Sequence, residues 1–246
     1  MMQIWGMTDI GLCRKENQDA YAVRQQTASG HTVCVVCDGM GGPAGGRLAS
    51  HIAVDVFIKE MERQLRSDMD PRQLWEASAC ATTMANEAIR KAARESEGYS
   101  DMGTTLVSAV TYEDGAVVFN VGDSRAYHIR KDGITRVTRD HSWVESLVEQ
   151  GNLTAEQARK HPNRNLITRA LGPDEVVQGD GYICPLAPEE YLLLCTDGLV
   201  DTVTDQEMFF EVLHGESPNT CLGRLLELAK KQGAPDNVTA VLMKKL

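Results

Sequence analysis

The chain has 246 residues, with 35 acidic and 25 basic side chains and a formal net charge of −10. This charge makes nucleic acid or an anionic membrane surface a poor partner. The length allows a substantial core, and the chain shows no internal repeat or low-complexity linker. One domain over residues 1–246 is therefore predicted.

Taken in chain order, the hydrophobic patterns predict an α+β fold. Helices at 47–67 and 70–95, the second with Asp70 as N-cap, precede short strands at 104–112, 116–121, 126–130 and 134–138. Asp-Gly turns between these strands are typical of antiparallel hairpins, an order unlike alternating βαβ units. The other predicted elements are a strand and turn at 3–12, a buried strand at 33–37, a helix at 141–151, strands at 176–184 and 191–195, helices at 205–214 and 218–232, and a final strand at 238–242.

The cysteines and the hydropathy of the chain predict a reduced, cytoplasmic protein. Seven scattered cysteines, several within apolar runs, are typical of buried thiols. Cys34 and Cys37 form a C-x-x-C pattern, but residues three apart on a strand face opposite sides, which argues against a zinc or redox site. No apolar run approaches the ~20 residues of a membrane-spanning helix, and no signal-peptide pattern is visible.

Four aspartates stand at the ends of apolar strands. Asp38, Asp123 and Asp197 each follow an apolar run, and Asp236 leads into the last strand. One such aspartate alone is common turn chemistry. Four carboxylates drawn together from distant parts of the chain would repel each other, and a hard divalent cation with oxygen ligands removes that penalty. The pattern therefore predicts a divalent metal site.

Two polar stretches become informative beside such a site. Residues 14–19 are by themselves a solvated loop, but the planar guanidinium of Arg14 suits two phosphate oxygens near a metal cluster. Asp19 supplies a further carboxylate in the same stretch. Residues 152–165 lack a clear core face and are predicted to form a mobile insert near the site.

These residues lie in motifs that resemble a known family. The chain is similar to the metal-dependent protein serine/threonine phosphatases of the type 2C class (the PPM family), in their compact bacterial form. The motifs occur in the family's order over nearly the whole chain: DIGLCRKENQD at 9–19, DGMGG at 38–42, GTT at 103–105, NVGDSR at 120–125, DHS at 140–142, TRALG at 168–172, TDGL at 196–199 and DN at 236–237.

The resemblance implies a four-layer sandwich in which two stacked antiparallel β-sheets are flanked by helices. It implies two Mn²⁺ or Mg²⁺ ions bridged by one carboxylate, and a third, weaker metal site. It also implies a substrate-binding arginine, an acidic residue that positions metal-bound water, and a variable flap at 142–165. By position, the resemblance implies that Asp38 is the bridging carboxylate, that Asp197 and Asp236 are ligands of one ion, and that the Gly39 carbonyl is a ligand of the other. The third site would use Asp123 with Asp197. Asp19 would position the water, and Arg14 would bind the phosphate.

The family's eukaryotic members carry a histidine after the Asp-Gly pair, proposed as the general acid. This chain has Met40 there, so metal-bound water or another group, with His161 of the flap as one candidate, has to protonate the leaving alcohol. Pro43 and Arg47 also depart from the common pattern; Arg47 is interpreted as a solvated residue at a helix start.

The predicted activity is hydrolysis of phosphoserine and phosphothreonine in proteins, which reverses the action of a Ser/Thr kinase pathway in a bacterium. The predicted partners are phosphorylated proteins, and the predicted state is a monomer. One alternative is a non-catalytic phosphoprotein-binding module, although all the core carboxylates are present. Another is a two-metal phosphodiesterase or nucleotidase, although histidine-rich ligand motifs are missing.

Overall fold

The computed structural model describes residues 1–42, 45–95, 98–215 and 217–246, so Pro43 lies outside the described residues. In chain order its elements are β1 (Met2–Asp9), β2 (Asp19–Arg24), β3 (Val33–Met40), α1 (Gly45–Gln64), α2 (Pro71–Glu95), β4 (Gly103–Thr104), β5 (Leu106–Tyr112), β6 (Gly115–Val121), β7 (Arg125–Arg130), β8 (Gly133–Arg136), α3 (Trp143–Glu149), α4 (Ala155–Arg159), β9 (Asp180–Pro185), β10 (Tyr191–Cys195), α5 (Asp197–Val200), α6 (Asp205–His214), α7 (Pro218–Lys231) and β11 (Val238–Lys245).

The strands form two antiparallel sheets. One has the order β1-β11-β10-β7-β8; the other has the order β2-β3-β5-β6-β9, with β4 paired to β3. The β5–β6 and β7–β8 hairpins turn at the predicted Asp-Gly positions. The predicted α+β sandwich of stacked antiparallel sheets flanked by helices is confirmed.

Three apolar layers hold the sandwich together. Val36 and Leu194 belong to the layer between the two sheets. Phe57 of α1 and Leu74 of α2 pack on the outer face of the β2–β9 sheet. Leu225 of α7 belongs to the cluster on the outer face of the other sheet. Each sheet is thus buried on both faces, which explains why its strands read as continuous apolar runs.

The alternation of side chains along β3 separates the two cysteines of the C-x-x-C pattern. Cys37 lies in the helix-facing cluster with Val35, whereas Cys34 lies in the inter-sheet cluster with Val36. Both thiols are free and buried. Their pKa values are raised by burial, so neither is an activated thiolate.

Some local predictions hold and others are corrected. The carboxylate of Asp70 accepts a hydrogen bond from the Gln73 N–H at 2.9 Å, and Pro71 begins α2 as predicted. The strand predicted at 176–184 begins only at Asp180, because Val176 is 75% exposed and has no sheet to pack on. The edge strand β2 was not predicted, since the polar run before it masks its short apolar pattern.

In the part of the chain that the structure describes, no helix combines the length and apolar character needed to cross a bilayer.

Candidate active site

A cavity of about 560 Å³ lies where β3, β6 and β10 end and β11 begins. Six of the seven predicted site residues line it: Arg14, Asp38, Gly39, Asp123, Asp197 and Asp236. The seventh, Asp19, lies directly behind, paired with Asp38 in the register of β2 and β3. Residues separated by more than 200 positions in sequence therefore surround one space.

Hydrogen bonds to its backbone hold Asp38 in place. Its N–H donates to Thr105 Oγ1 at 3.0 Å, and its carbonyl accepts from Thr104 Oγ1 at 2.8 Å and from the Thr105 N–H at 2.9 Å. Thr105 Oγ1 is in turn 2.6 Å from Ser124 Oγ, beside Asp123. The Asp38 carboxylate is left to face the cavity.

The aspartates of this cavity influence each other's ionisation. Burial raises the pKa of Asp38 well above its usual range, and the charges of Asp19, Asp197, Asp123 and Asp236 raise it further. Burial likewise raises the pKa of Asp123, and among the neighbouring charges that of Asp197 raises it most. Carboxylates in this arrangement resist ionisation until a cation joins them.

The two carboxylate oxygens of Asp19 differ in their hydrogen bonding. Its Oδ2 accepts hydrogen bonds from Thr196 Oγ1 at 3.0 Å and from Thr239 Oγ1 at 2.7 Å. Its Oδ1 is buried with no hydrogen-bond partner, and so is Asp197 Oδ1. Burial raises the pKa of Asp19 to about 7 despite these two hydroxyl groups, and raises the pKa of Asp197 to about 6.

These residues fit a divalent cation. Unsatisfied buried carboxylate oxygens and a donor set made only of oxygen are what Mg²⁺ or Mn²⁺ requires. In residues 1–42, 45–95, 98–215 and 217–246, no group of three or more His, Cys, Asp or Glu side chains is placed so that it could hold a metal ion, so the fit rests on the chemistry of the donors and not on a preformed coordination geometry.

Arg14 lies at the cavity in contact with a predicted metal ligand. Its Nη2 is 2.6 Å from Asp236 Oδ2, and the two side chains are 51% and 25% exposed. The loop that carries Arg14 is tied down by Asn237, whose Nδ2 donates to the carbonyls of Ile10 and Glu16 at 2.9 and 3.0 Å. Asn237 Oδ1 accepts from the Gln18 N–H at 2.9 Å.

Gly39 is required by packing as well as by its predicted role. A Cβ built on Gly39 would lie 2.1 Å from the carbonyl oxygen of Gly46, so any side chain would push the start of α1 away. The close approach of α1 to the end of β3 therefore needs glycine here.

The flap, residues 142–165, contains α3 and α4 and borders the cavity through Asn165. His161 does not line the cavity: its ring packs against Trp143 at 5.2 Å, and its Nδ1 accepts from the Asn163 N–H. The structure thus gives no support to His161 as the general acid. Arg47 forms an exposed ion pair with Glu16, in agreement with its interpretation as a solvated residue.

The loop of Asp123 is held by a histidine to which the sequence pattern assigned no role. His141 Nδ1 accepts from the Gly122 N–H at 3.1 Å, and its Nε2 lies 3.1 Å from Asp180 Oδ2. Burial lowers the pKa of His141, and a neutral imidazole with Nε2 protonated satisfies both contacts. His141, Thr196, Thr239 and Asn237 were missed as site residues. His141, Thr196 and Asn237 lie in the family-like motifs, which were the signal for them, whereas Thr239 lies outside every motif.

The hydroxyl groups on Asp19 lead to a prediction. Thr239→Val removes the 2.7 Å donor while keeping the shape of the side chain, so the Asp19 carboxylate loses its orientation. We expect kcat to fall about 10-fold, with a loss of only about 1 kcal/mol in the free energy of unfolding. Steady-state kinetics and urea unfolding measure the two effects. Thr239→Ser keeps the hydroxyl group and should keep kcat near the wild-type value. An unchanged kcat in Thr239→Val would contradict the role of Thr239 in orienting Asp19.

Solved structures of bacterial serine/threonine phosphatases share this fold. The Stp1 phosphatase from Staphylococcus aureus matches with a TM-score of 0.94 at 34% identity, over 100% of this chain and 96% of that one. The catalytic domain of the phosphatase PstP in complex with two manganese ions matches with a TM-score of 0.82 at 29% identity, over 99% and 97%.

Sequence comparison then gives the family. Residues 14–226 match the family model described as Protein phosphatase 2C, and the chain belongs to this family. It is 32% identical over 243 residues to the protein phosphatase PhpP of Streptococcus pneumoniae, covering 98% of this chain and 97% of that protein. It is 30% identical over 238 residues to the serine/threonine phosphatase stp of Listeria innocua, covering 97% and 94%. The resemblance to this family and the prediction of a protein phosphatase are confirmed.

Proposed function

We propose that the protein hydrolyses phosphoserine and phosphothreonine in proteins with two Mn²⁺ or Mg²⁺ ions held at the cavity. Asp38 would contribute to holding both ions, Asp197 and Asp236 would hold one of them, and the Gly39 carbonyl would hold the other. The observation that carries this proposal is the convergence of five aspartates around one cavity, four of which have pKa values raised by burial and by neighbouring carboxylates.

The metal ions supply a water of lowered pKa and a clamp for phosphoryl oxygens. Asp19 is fixed through Oδ2 by two threonines, and its unsatisfied Oδ1 would orient that water. Arg14 binds phosphoryl oxygens and offsets the charge that develops on them. The described residues that line the cavity include no cysteine or histidine, so neither a cysteinyl-phosphate nor a histidyl-phosphate intermediate is available among them.

Other parts of the proposal reach further. A third, weaker metal site uses Asp123 and Asp197, which both line the cavity. The substrates are phosphoproteins, as the names of the bacterial relatives support. Their membership in a Ser/Thr kinase pathway stays a prediction. That the enzyme is cytoplasmic, is a monomer and consists of a single domain stays a prediction. The bound manganese of the PstP structure supports Mn²⁺ over Mg²⁺ as the first ion to test.

The test is a substrate and metal panel on the wild-type protein. We expect hydrolysis of an aryl phosphate and of a phosphothreonine peptide with Mn²⁺, and loss of at least about 10²-fold in rate when a chelator removes the metal. Re-addition of Mn²⁺ should restore the rate. Activity that persists in chelator would overturn the metal mechanism, and faster turnover of cyclic nucleotides than of the peptide would favour a phosphodiesterase.

A further inference from the structure

Arg14 engages one of the two carboxylate oxygens of Asp236, a proposed metal ligand. Asp236 Oδ1 accepts a hydrogen bond from the Asn237 N–H at 2.8 Å, and Oδ2 accepts from Arg14 Nη2 at 2.6 Å. Each carboxylate oxygen therefore already has a donor. A dication bound at Oδ2 would meet the guanidinium at contact distance, and two cations on one oxygen repel each other.

The backbone of the Arg14 loop is anchored independently of this ion pair. Asn237 holds the carbonyls of Ile10 and Glu16, and the Leu12 N–H donates to the Ala234 carbonyl at 2.9 Å. The Arg14 side chain is half exposed, so it can leave Asp236 by rotating its own bonds while the loop stays in place. Only the guanidinium has to move.

We infer that Arg14 is an internal counter-cation: it neutralises Asp236 in the metal-free protein and is displaced when a dication binds there. The displaced guanidinium is then available to the phosphate of the substrate. Metal loading would thus prepare the phosphate-binding arginine, and occupation of Arg14 by phosphate would in turn favour the metal, because such coupling is reciprocal. The inference rests on the proposed metal site and adds a role for Arg14 before substrate arrives.

Lys15 provides a matched control. It is the next residue, lines the same cavity and carries the same charge, but it forms no ion pair among the described residues. Loss of either cation reduces the general repulsion of Mn²⁺. Only loss of Arg14 also removes a competitor from Asp236.

The experiment measures binding of Mn²⁺ alone, without substrate or turnover, by calorimetry or by electron paramagnetic resonance of free Mn²⁺. Arg14→Ala should bind Mn²⁺ about 5-fold more tightly than wild type, and Lys15→Ala less than about 2-fold more tightly. Arg14→Gln, checked by circular dichroism for folding, serves as the second variant. Equal affinities in the Arg14 and Lys15 variants, or weaker binding without Arg14, would overturn the inference.

A second arm uses inorganic phosphate and chelator-treated protein. Asp236→Asn releases Arg14 without metal, so we expect it to bind phosphate about 5-fold more tightly than wild type, a gain that Arg14→Ala in the same background should remove. Glu16→Gln is the matched control: it removes another carboxylate of the cavity wall and releases Arg47, an arginine outside the cavity lining, and should leave phosphate affinity unchanged. If wild type takes up no Mn²⁺, the proposed function fails; if it binds Mn²⁺ through Asp38 but Arg14 has no effect, only this inference fails.

Discussion

Replacing Asp38 by Asn is expected to abolish phosphatase activity, with kcat lowered by about 10³-fold or more. Asp38 lies in the middle of the cluster, where burial and four neighbouring aspartates raise its pKa. The amide keeps the shape of the side chain and the backbone hydrogen bonds to Thr104 and Thr105, but it loses the charge that would bridge two cations. Steady-state kinetics with Mn²⁺ on an aryl phosphate and a phosphothreonine peptide measure the loss.

Two controls separate this effect from misfolding. Removing one of several clustered carboxylates relieves repulsion, so the melting temperature of Asp38→Asn in chelator should be no lower than that of wild type. Asp114→Asn changes an exposed aspartate at the β5–β6 turn and should keep full activity. A rate for Asp38→Asn within about 10-fold of the wild-type rate would contradict the proposal that Asp38 is the bridging ligand.

The second large effect concerns stability. Arg125 donates to both carboxylate oxygens of Asp140, from Nε to Oδ1 at 3.0 Å and from Nη2 to Oδ2 at 2.6 Å. The two side chains are only 17% and 6% exposed. Burial by itself would lower the pKa of Arg125, but Asp140 and Tyr127 raise it well above its usual range, so the guanidinium stays charged.

Arg125→Met is expected to lower the free energy of unfolding by about 3–5 kcal/mol, because it leaves the Asp140 carboxylate buried with Arg136, at 3.5 Å, as its remaining charged partner among the described residues. Urea unfolding measures the change. Arg72→Met, which breaks the exposed pair with Glu76, should cost less than about 0.5 kcal/mol. A loss below about 1 kcal/mol for Arg125→Met would show that this buried pair is not a main support of the fold.

The pair also bears on the site. Asp140 is followed by His141, which holds the Gly122 N–H next to Asp123. Arg125 begins β7, two residues after Asp123. The ion pair therefore fixes both segments that flank the loop of Asp123, the proposed third metal ligand. It positions that loop as well as stabilising the fold.

The sequence by itself determined the elements and the residue types of the site. Apolar runs that end in aspartate placed Asp38, Asp123 and Asp197 at strand ends, and the Asp-Gly turns set the hairpins, because these signals are local. Because both faces of each sheet are buried, the central strands are continuous apolar runs, and these could be recognised as strands from the sequence. The family-like motifs added Arg14, Asp19 and Gly39, which no periodicity would have singled out.

Only the tertiary structure decided how these groups are paired. The contacts of Asp19 with Thr196 and Thr239, and of Arg14 with Asp236, join residues 177, 220 and 222 positions apart. Such pairs depend on how two sheets stack and how a loop closes over their edge, and no local pattern encodes a side-chain contact across that distance. The sequence thus specified which chemical groups the site contains, while packing specified which oxygen of each carboxylate is occupied and which is left for a ligand.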